Sequence, residues 1–570
     1  MRGISRTRSH VPLPASSLVA LVRPMLRVRC AEDSFLEAYN RGEGADPSKR
    51  KPGVVSCARK KVTLPSRALS TPSTSDATEP VAGSADGAPA SASDRPVGAL
   101  RSLLSAAVYS LGFTIQRAIG LLLLPVYTRA ISPAEYGTLG VLIAVYGGVG
   151  VLFSAALETS INRNYFQLAK EPARQQEYLD SVWRFLVVYP LVSSVVLSAV
   201  AWPFAGEIAH ADGEEIALTL VASALFVAGT TLPLTVLRAR HDLRGYLWMT
   251  AVTGIGTVGL TLVFVVGLDL GVKGWMAAAA LANAATLLTA LAVVPWNWKG
   301  SFNWPLTWTA VVFSLPLIPH LASHWALQVA DRGVIAGMVS GADLGVYTLA
   351  ANIASVVMML VIALNQAFVP TYARAGAEDG VQEELDRVVM LQIAVVVALT
   401  LGAALTGPPL VELLTPASYH EAAPLVPWLA LGYGFLGLYF IPMNGATLGV
   451  GRRTFAWVAT AISAGINIGL LFLLVPTGGI TAAAVASAAG YLVLLVLIYA
   501  WAHARHNPVR YEWRKVSVIV AAALAAFAAG TATAPEGPAA ATAVGIAWFV
   551  LFAIAAAGAL YGPRVRFRAG

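Results

Sequence analysis

SLLSAAVYSLGFTIQRAIGLLLLPVYTRAISPAEYGTLGVLIAVYGGVGVLFSAALE (residues 102–158) holds two apolar runs, near 103–126 and 137–160, separated by a short polar connection. Each run is long enough to cross about 30 Å of bilayer hydrocarbon as a helix. The connection is the short stretch YTRAISPAEY (127–136). The sequence here reads as a hairpin of two membrane-crossing helices.

Outward from that hairpin the pattern repeats. Further apolar runs lie near 181–203, 215–237, 246–268, 274–296, 308–330, 344–369, 388–410, 423–447, 454–476, 480–502, 515–533 and 540–561. The expected fold is therefore an all-α polytopic transmembrane bundle of about 14 spans with short connections. Composition agrees: the chain is 57% hydrophobic and only 12% charged, where a soluble domain is about a quarter charged. No sizeable soluble domain follows residue 100, so function has to come from a cavity between helices.

The net charge of +8 could suggest nucleic acid, but its placement argues against that partner. With the N-terminal tail in the cytoplasm, about 19 Lys and Arg fall on the cytoplasmic side, among them Arg163, Arg238, Arg374, Arg387 and Arg510. The other side holds only about three, Arg129, Lys273 and Arg332. This positive-inside bias orients both termini to the cytoplasm of a cell inner (plasma) membrane. Residues 1–97 differ from the rest, being rich in Arg, Ser, Pro, Ala and Gly. They read as a disordered tail, an extension of the start site or a targeting segment. Both cysteines, Cys30 and Cys57, lie there, so the membrane part has no thiolate site.

SPAEYGTLGV (132–141) is echoed by SGADLGVYTL (340–349), so that Ser132, Glu135 and Gly137 pair with Ser340, Asp343 and Gly345. GLTLVFVV…GWMAAAALA (259–282) and GLLFLLVP…GITAAAVAS (469–487) repeat at nearly the same offset. The expected organisation is two six-helix lobes, 98–300 and 301–510, followed by two extra helices and a short basic C-terminus over 511–570.

LLLLPVYTRAISPAEYGTLG (121–140) and LPLIPHLASHWALQVADRGVIAGMVSGADLGVYTLA (315–350) resemble the polysaccharide/oligosaccharide flippase family, part of the wider superfamily that holds MATE drug exporters and the lipid II flippase. Pro316, Pro319, Trp325, Asp331, Arg332, Gly341, Gly345 and Tyr347 carry the second match. The resemblance implies a transporter rather than an enzyme, with no cofactor. Its cargo would be a polyprenyl-diphosphate oligosaccharide, carried from the cytoplasmic to the outer leaflet by alternating access. The bilayer and glycan-assembly enzymes are the partners such a role calls for.

Arg117 lies deep in the first span, with Gln116 beside it and Ser110 and Thr114 on its face. A guanidinium at that depth costs at least about 2.5–3.5 kcal/mol, so it should face a wet cavity or a carboxylate such as Glu158. Given the resemblance, it suits a diphosphate. In the seventh span His320, His324, Gln328 and Asp331 share one face by their spacing, and Arg332 is adjacent. That face should line a cavity, relay a proton or bond a neighbouring helix. Asp331 and Arg332 read as a mutual pair near the outer end, a fixed structural contact or a gate. Glu158 reads as a helix-end charge or a coupling carboxylate, and Asn365, Gln366 and Asn444 as cavity or interhelical polar groups. No third ligand joins His320 and His324, so no metal site is expected.

Gly254/Gly256/Gly259 and Gly432/Gly434/Gly437 mimic a dinucleotide fingerprint but lie inside apolar spans, where small residues serve helix packing. Two alternatives differ in class. A cation-coupled small-molecule exporter would need more buried carboxylates. A membrane glycan polymerase or ligase would need a large catalytic outer loop.

Overall fold

The computed structural model describes residues 123–209, 211–297, 302–375, 380–449, 456–504 and 509–561. Among these there is no β-strand, and 12 helices are long and apolar enough to cross a membrane. One of them, Ala456–His503, counts twice. At 48 residues it would extend about 72 Å if straight, more than two bilayer cores. It folds back at Gly479, whose backbone (φ 58°, ψ −149°) is not helical. Asn467 Nδ2 then donates to the Ala486 carbonyl across the turn at 3.1 Å. These are the separate spans expected at 454–476 and 480–502. The first expected span, 103–126, lies almost wholly outside the described residues.

The helices are α1 (Leu124–Ala130), α2 (Pro133–Ser154), α3 (Leu157–Gln167), α4 (Pro172–Ala201), α5 (Ala205–Ala209), α6 (Gly213–Ala239), α7 (Leu243–Thr261), α8 (Gly271–Val293), α9 (Trp304–Ser314), α10 (Ile318–Ile335), α11 (Gly341–Ala375), α12 (Gln382–Leu414), α13 (Val426–Asn444), α14 (Ala456–His503), α15 (Trp513–Ala532) and α16 (Pro538–Tyr561). Polar residues at the apolar boundaries set several starts. Ser132 and Glu135 form a capping box on α2, Asp212 and Glu215 do so on α6, and the Asn303 side chain caps α9. Each satisfies backbone N–H groups that lipid could not.

Two crossings that the sequence reads as continuous are broken. The second divides at Ala155 and Ala156, which adopt left-handed φ values of 46° and 54°. The freed carbonyl of Leu152 accepts from the Ala155 N–H and, at 3.5 Å, from the Tyr189 hydroxyl. By then α2 has risen about 33 Å, enough to cross the hydrocarbon alone. The seventh divides at a 3-10 turn, Leu315–Leu317, because Pro316 and Pro319 deny the helix two N–H donors.

Packing forms two groups that share one apolar core, in which Leu139 and Leu142 of α2 are buried with Leu344, Tyr347 and Ala351 of α11. In the first, α6 lies against α8, α4, α2 and α3, and α8 against α7. Its apolar core includes Phe153, Leu157, Trp183, Leu186, Val227, Leu232 and Met249. In the second, α13 packs on α14, α11 and α12, and α10 on α14. The last two helices, α15 and α16, cover α12, with Leu405, Ile519, Ala526 and Phe552 buried between them. The seventh crossing belongs to both groups: α9 packs on α3 and α4, whereas α10 packs on α14 and α2.

Candidate functional site at the seam between the helix groups

The two groups meet where α2 and α11 begin. The echoing segments 132–141 and 340–349 face each other there with reciprocal contacts. A Cβ placed on Gly137 would lie 2.4 Å from the Gly341 carbonyl oxygen and 3.0 Å from the Gly345 nitrogen. One placed on Gly345 would lie 1.8 Å from the Pro133 carbonyl oxygen and 3.1 Å from the Gly137 nitrogen. The backbones therefore touch, which only glycine on both sides permits. Both helices are capped alike: Ser132 pairs with Glu135, and Ser340 Oγ donates to Asp343 Oδ2 at 2.8 Å.

Among the described residues, three hydrogen bonds cross the seam. Trp325 Nε1 of α10 donates to the Ala144 carbonyl of α2 at 3.1 Å, its indole lying over Gly147 and Gly148. Asn352 Nδ2 of α11 donates to the Tyr136 hydroxyl of α2 at 3.0 Å. The Tyr419 hydroxyl, from the 3-10 segment Ala417–Leu425, reaches the Ile131 carbonyl at 2.8 Å. On the side of the first group all three fall within residues 131–144.

The polar face of α10 runs down from this closed end. Gln328 Nε2 lies 2.6 Å from His324 Nε2 and donates to it in the tautomer that keeps the ring proton on Nδ1. His320 Nδ1 is sealed without a partner. Asp331 and Arg332 are buried, 6% and 7% exposed, but they do not form the ion pair expected of neighbours. Asp331 Oδ1 accepts the backbone N–H of Arg332 at 2.8 Å. Its Oδ2 accepts from the hydroxyls of Tyr347 on α11 and Ser487 on α14. Consecutive helical residues point about 100° apart, so Asp331, turned to Tyr347 and Ser487 of the second group, and Arg332 face different surroundings. The Arg332 side chain donates to no described residue, and Nε is buried without a partner.

The remaining candidates are dispersed. Glu158 opens α3 and pairs with Arg238 of α6 at 2.5 Å, both about half exposed. Asn365 Oδ1 accepts from Asn444 Nδ2 at 2.7 Å, joining α11 to α13, while Gln366 is exposed. Arg117 and Gln116 lie outside the described residues. Among the described residues no cluster of three His, Cys, Asp or Glu side chains is placed to hold a metal. Sequence reasoning missed the seam partners Tyr136, Asn352, Gly147, Gly148 and Tyr419. The repeat pointed to this place through Gly137 and Gly345, and the family resemblance through Trp325, Gly341 and Gly345.

The family model described as "Polysaccharide biosynthesis protein" matches residues 126–424, just over half of the chain. The chain belongs to this family. The matched region contains the whole seam. No curated protein gives a significant match. Among solved structures, "Lipid II flippase MurJ, inward closed conformation" aligns with TM-score 0.62 at 12% identity, covering 78% of this chain and 98% of that one. An inward-facing multidrug resistance MATE family transporter of the MOP superfamily aligns with TM-score 0.56 at 15% identity, covering 70% and 94%. At these identities the likeness is one of fold. The member described here is thus a multi-pass membrane protein of the polysaccharide biosynthesis family with the fold of flippases and exporters, as its two sequence motifs implied.

Proposed function

We propose that this protein flips a lipid-linked oligosaccharide, a glycan on a polyprenyl diphosphate, from the cytoplasmic to the outer leaflet of the inner membrane. The observation that carries this reading is the seam. Two helix groups are zipped at one end by glycine backbones, with a polar, partly unsatisfied helix face running away from that end. This is what a transporter closed on one side requires. The Lys and Arg distribution assigns the zipped end to the outside, so the state described is closed outward.

The head group enters between the groups from the cytoplasm while the lipid stays in the bilayer. Arg117, with Gln116, attracts the diphosphate. His320, His324 and Gln328 contact sugar hydroxyls, and Asn365, tied to Asn444, shapes the wall nearer the cytoplasm. Release outward requires the seam to part. Asp331 and Arg332 sit where that parting is controlled. Glu158 is a helix-end charge held by Arg238. An outside-positive potential favours outward movement of negative charge by about 2.3 kcal/mol per charge per 100 mV, and glycan-assembly enzymes would supply the cargo.

The test is flipping of a fluorescent polyprenyl-diphosphate oligosaccharide in proteoliposomes, wild type against Arg117→Ala. Loss of transport in the folded variant supports the diphosphate role. Unchanged transport demotes Arg117 to structure. No movement by the wild type, across several sugar heads and imposed gradients, would replace this reading with a small-molecule exporter.

A further inference from the structure

The chain enters α15 through a segment without regular structure, 509–512, whose side chains alternate. Val509 is buried with Tyr372 of α11 and Leu385 and Val389 of α12, and Tyr511 packs on the same core. Arg510 and Glu512 point outward and are exposed. Tyr511 and Trp513 form one aromatic cluster with Tyr499 and His503 of α14. The Tyr499 ring centre is 5.5 Å from Tyr511, 5.9 Å from Trp513 and 6.0 Å from His503, and Tyr511 is 5.5 Å from Trp513. This packing fixes the start of α15 against the end of α14. From Gly341 at the zipped end to Tyr372, in the same core as Val509, α11 rises about 46 Å. The cluster therefore sits at the opposite membrane surface.

Charge on the rim of this cluster is one-sided. Glu512 is held by Lys515 at 3.0 Å, while Arg510 and Arg514 are exposed and make no ion pair or hydrogen bond with a described residue. At the same surface Arg174, Arg238, Arg374 and Arg387 each pair with a glutamate. Arg240 and Arg244, between α6 and α7, lack one too and are the natural comparison. The Cα atoms of Arg510 and Arg514 lie within about 14 Å of each other, close enough for both guanidiniums to reach one phosphate. Trp513 beside them is 57% exposed. Above Arg514 the exposed face continues through Val518, Ala521, Ala525 and Ala528, all apolar and at helical spacing. Cations, an amphipathic ring and an apolar wall thus follow one another from the membrane surface inward.

We propose that Arg510, Arg514 and Trp513 bind an anionic phospholipid of the cytoplasmic leaflet, its phosphate between the two guanidiniums and an acyl chain along α15. Guanidinium donors match phosphate oxygens in pairs, an indole settles at headgroup depth, and basic residues just outside a membrane helix select anionic lipid. The site is independent of the flippase reading, because this lipid resides in the membrane and is not the cargo. Its place is the joint between the second helix group and the two extra helices, α15 and α16, that cover α12. A lipid held there fastens that joint.

The experiment uses the full chain in phosphatidylcholine bilayers, with Cys30 and Cys57 changed to serine and bimane attached at Val518→Cys. Quenching by dibrominated phosphatidylglycerol is compared with quenching by dibrominated phosphatidylcholine. With both arginines present, phosphatidylglycerol should be favoured at this position by about thirtyfold, the effect of two juxtamembrane cations. Arg510→Gln with Arg514→Gln should remove the preference, whereas Arg240→Gln with Arg244→Gln should leave it. Equal quenching by the two lipids before any arginine is changed overturns the proposal. So does a preference that survives the loss of Arg510 and Arg514. An equal loss when Arg240 and Arg244 are changed overturns it by showing a diffuse surface charge in place of a site. Loss of the preference in millimolar inorganic phosphate overturns it by making the ligand a free oxyanion. If the double variant does not fold, Arg510→Gln and Arg514→Gln singly should each weaken the preference about fivefold, and no loss in either refutes the site.

Discussion

Gly345→Ala should hold the seam open. The added methyl would sit 1.8 Å from the Pro133 carbonyl oxygen and 2.7 Å from its carbon. Ordinary contact begins near 3.4 Å, so α2 and α11 would have to separate by about 1.5 Å. The atoms nearest that methyl are all backbone, so no rotamer change relieves the clash. Overpacking of this kind costs about 1–3 kcal/mol or more. At 3 kcal/mol the ratio of zipped to parted forms falls by about 150-fold. The assay is labelling of a single cysteine by a polar maleimide. Thr348→Cys suits it, because Thr348 is buried against Gly140 and its hydroxyl has no partner. Cys30 and Cys57 would be changed to serine. Gly345→Ala should raise the labelling rate at least about tenfold, against a control at Gly469, whose Cβ would meet open space. Unchanged labelling in a folded Gly345→Ala protein would refute the idea that backbone contact keeps the seam shut.

Three further outcomes follow from particular contacts. Trp325→Phe keeps the ring over Gly147 and Gly148 but removes the bond to Ala144; it should cost the zipped state about 1 kcal/mol, read as about fivefold faster labelling at the same cysteine. Gly479→Ala places a side chain at φ 58°, ψ −149°; strain of about 1–3 kcal/mol should lower the thermal unfolding midpoint, and an unchanged midpoint would contradict the turn. Glu158→Gln removes a half-exposed pair with Arg238, worth under about 1 kcal/mol; transport and stability should stay near wild type, and a large loss of transport would restore Glu158 as a coupling group.

The spans were legible because hydrocarbon leaves a chain few choices: long apolar runs have to become helices, and their number and rough limits follow. The breaks were not. Ala155 and Ala156 are ordinary helix formers by propensity, and no local pattern marks their left-handed turn. Pro316 and Pro319 did mark the other break, but proline inside a membrane helix can also be tolerated without one. At the site, the spacing of His320, His324, Gln328 and Asp331 placed them on one face, and the structure leaves the first three half-buried while Asp331 is buried beside Ser487 of α14. It could not show that Asp331 and Arg332, adjacent in sequence, serve different neighbours. That depends on α11 and α14 supplying Tyr347 and Ser487, residues 16 and 156 positions away.

The division of labour within the seventh crossing bears on how two halves could move. Its first helix, α9, is tied to the first group: Asn303 bonds Glu177 and Ser181 of α4, and Arg163 of α3 lies 4.6 Å from the Phe313 ring centre. Its second helix, α10, is tied to the second group through Asp331 and Ser487 and to α2 through Trp325. If the seam parts, the Trp325 contact is lost while the Asn303 and Asp331 contacts, each internal to one side, can persist. The relative motion must then be absorbed between them, and the turn at Leu315–Leu317 is where the helical hydrogen bonds are already missing. A continuous helix there would couple the two groups rigidly and oppose any rocking. The proline pair, by costing the crossing its regularity, leaves the two groups joined by a segment that can bend without breaking either core.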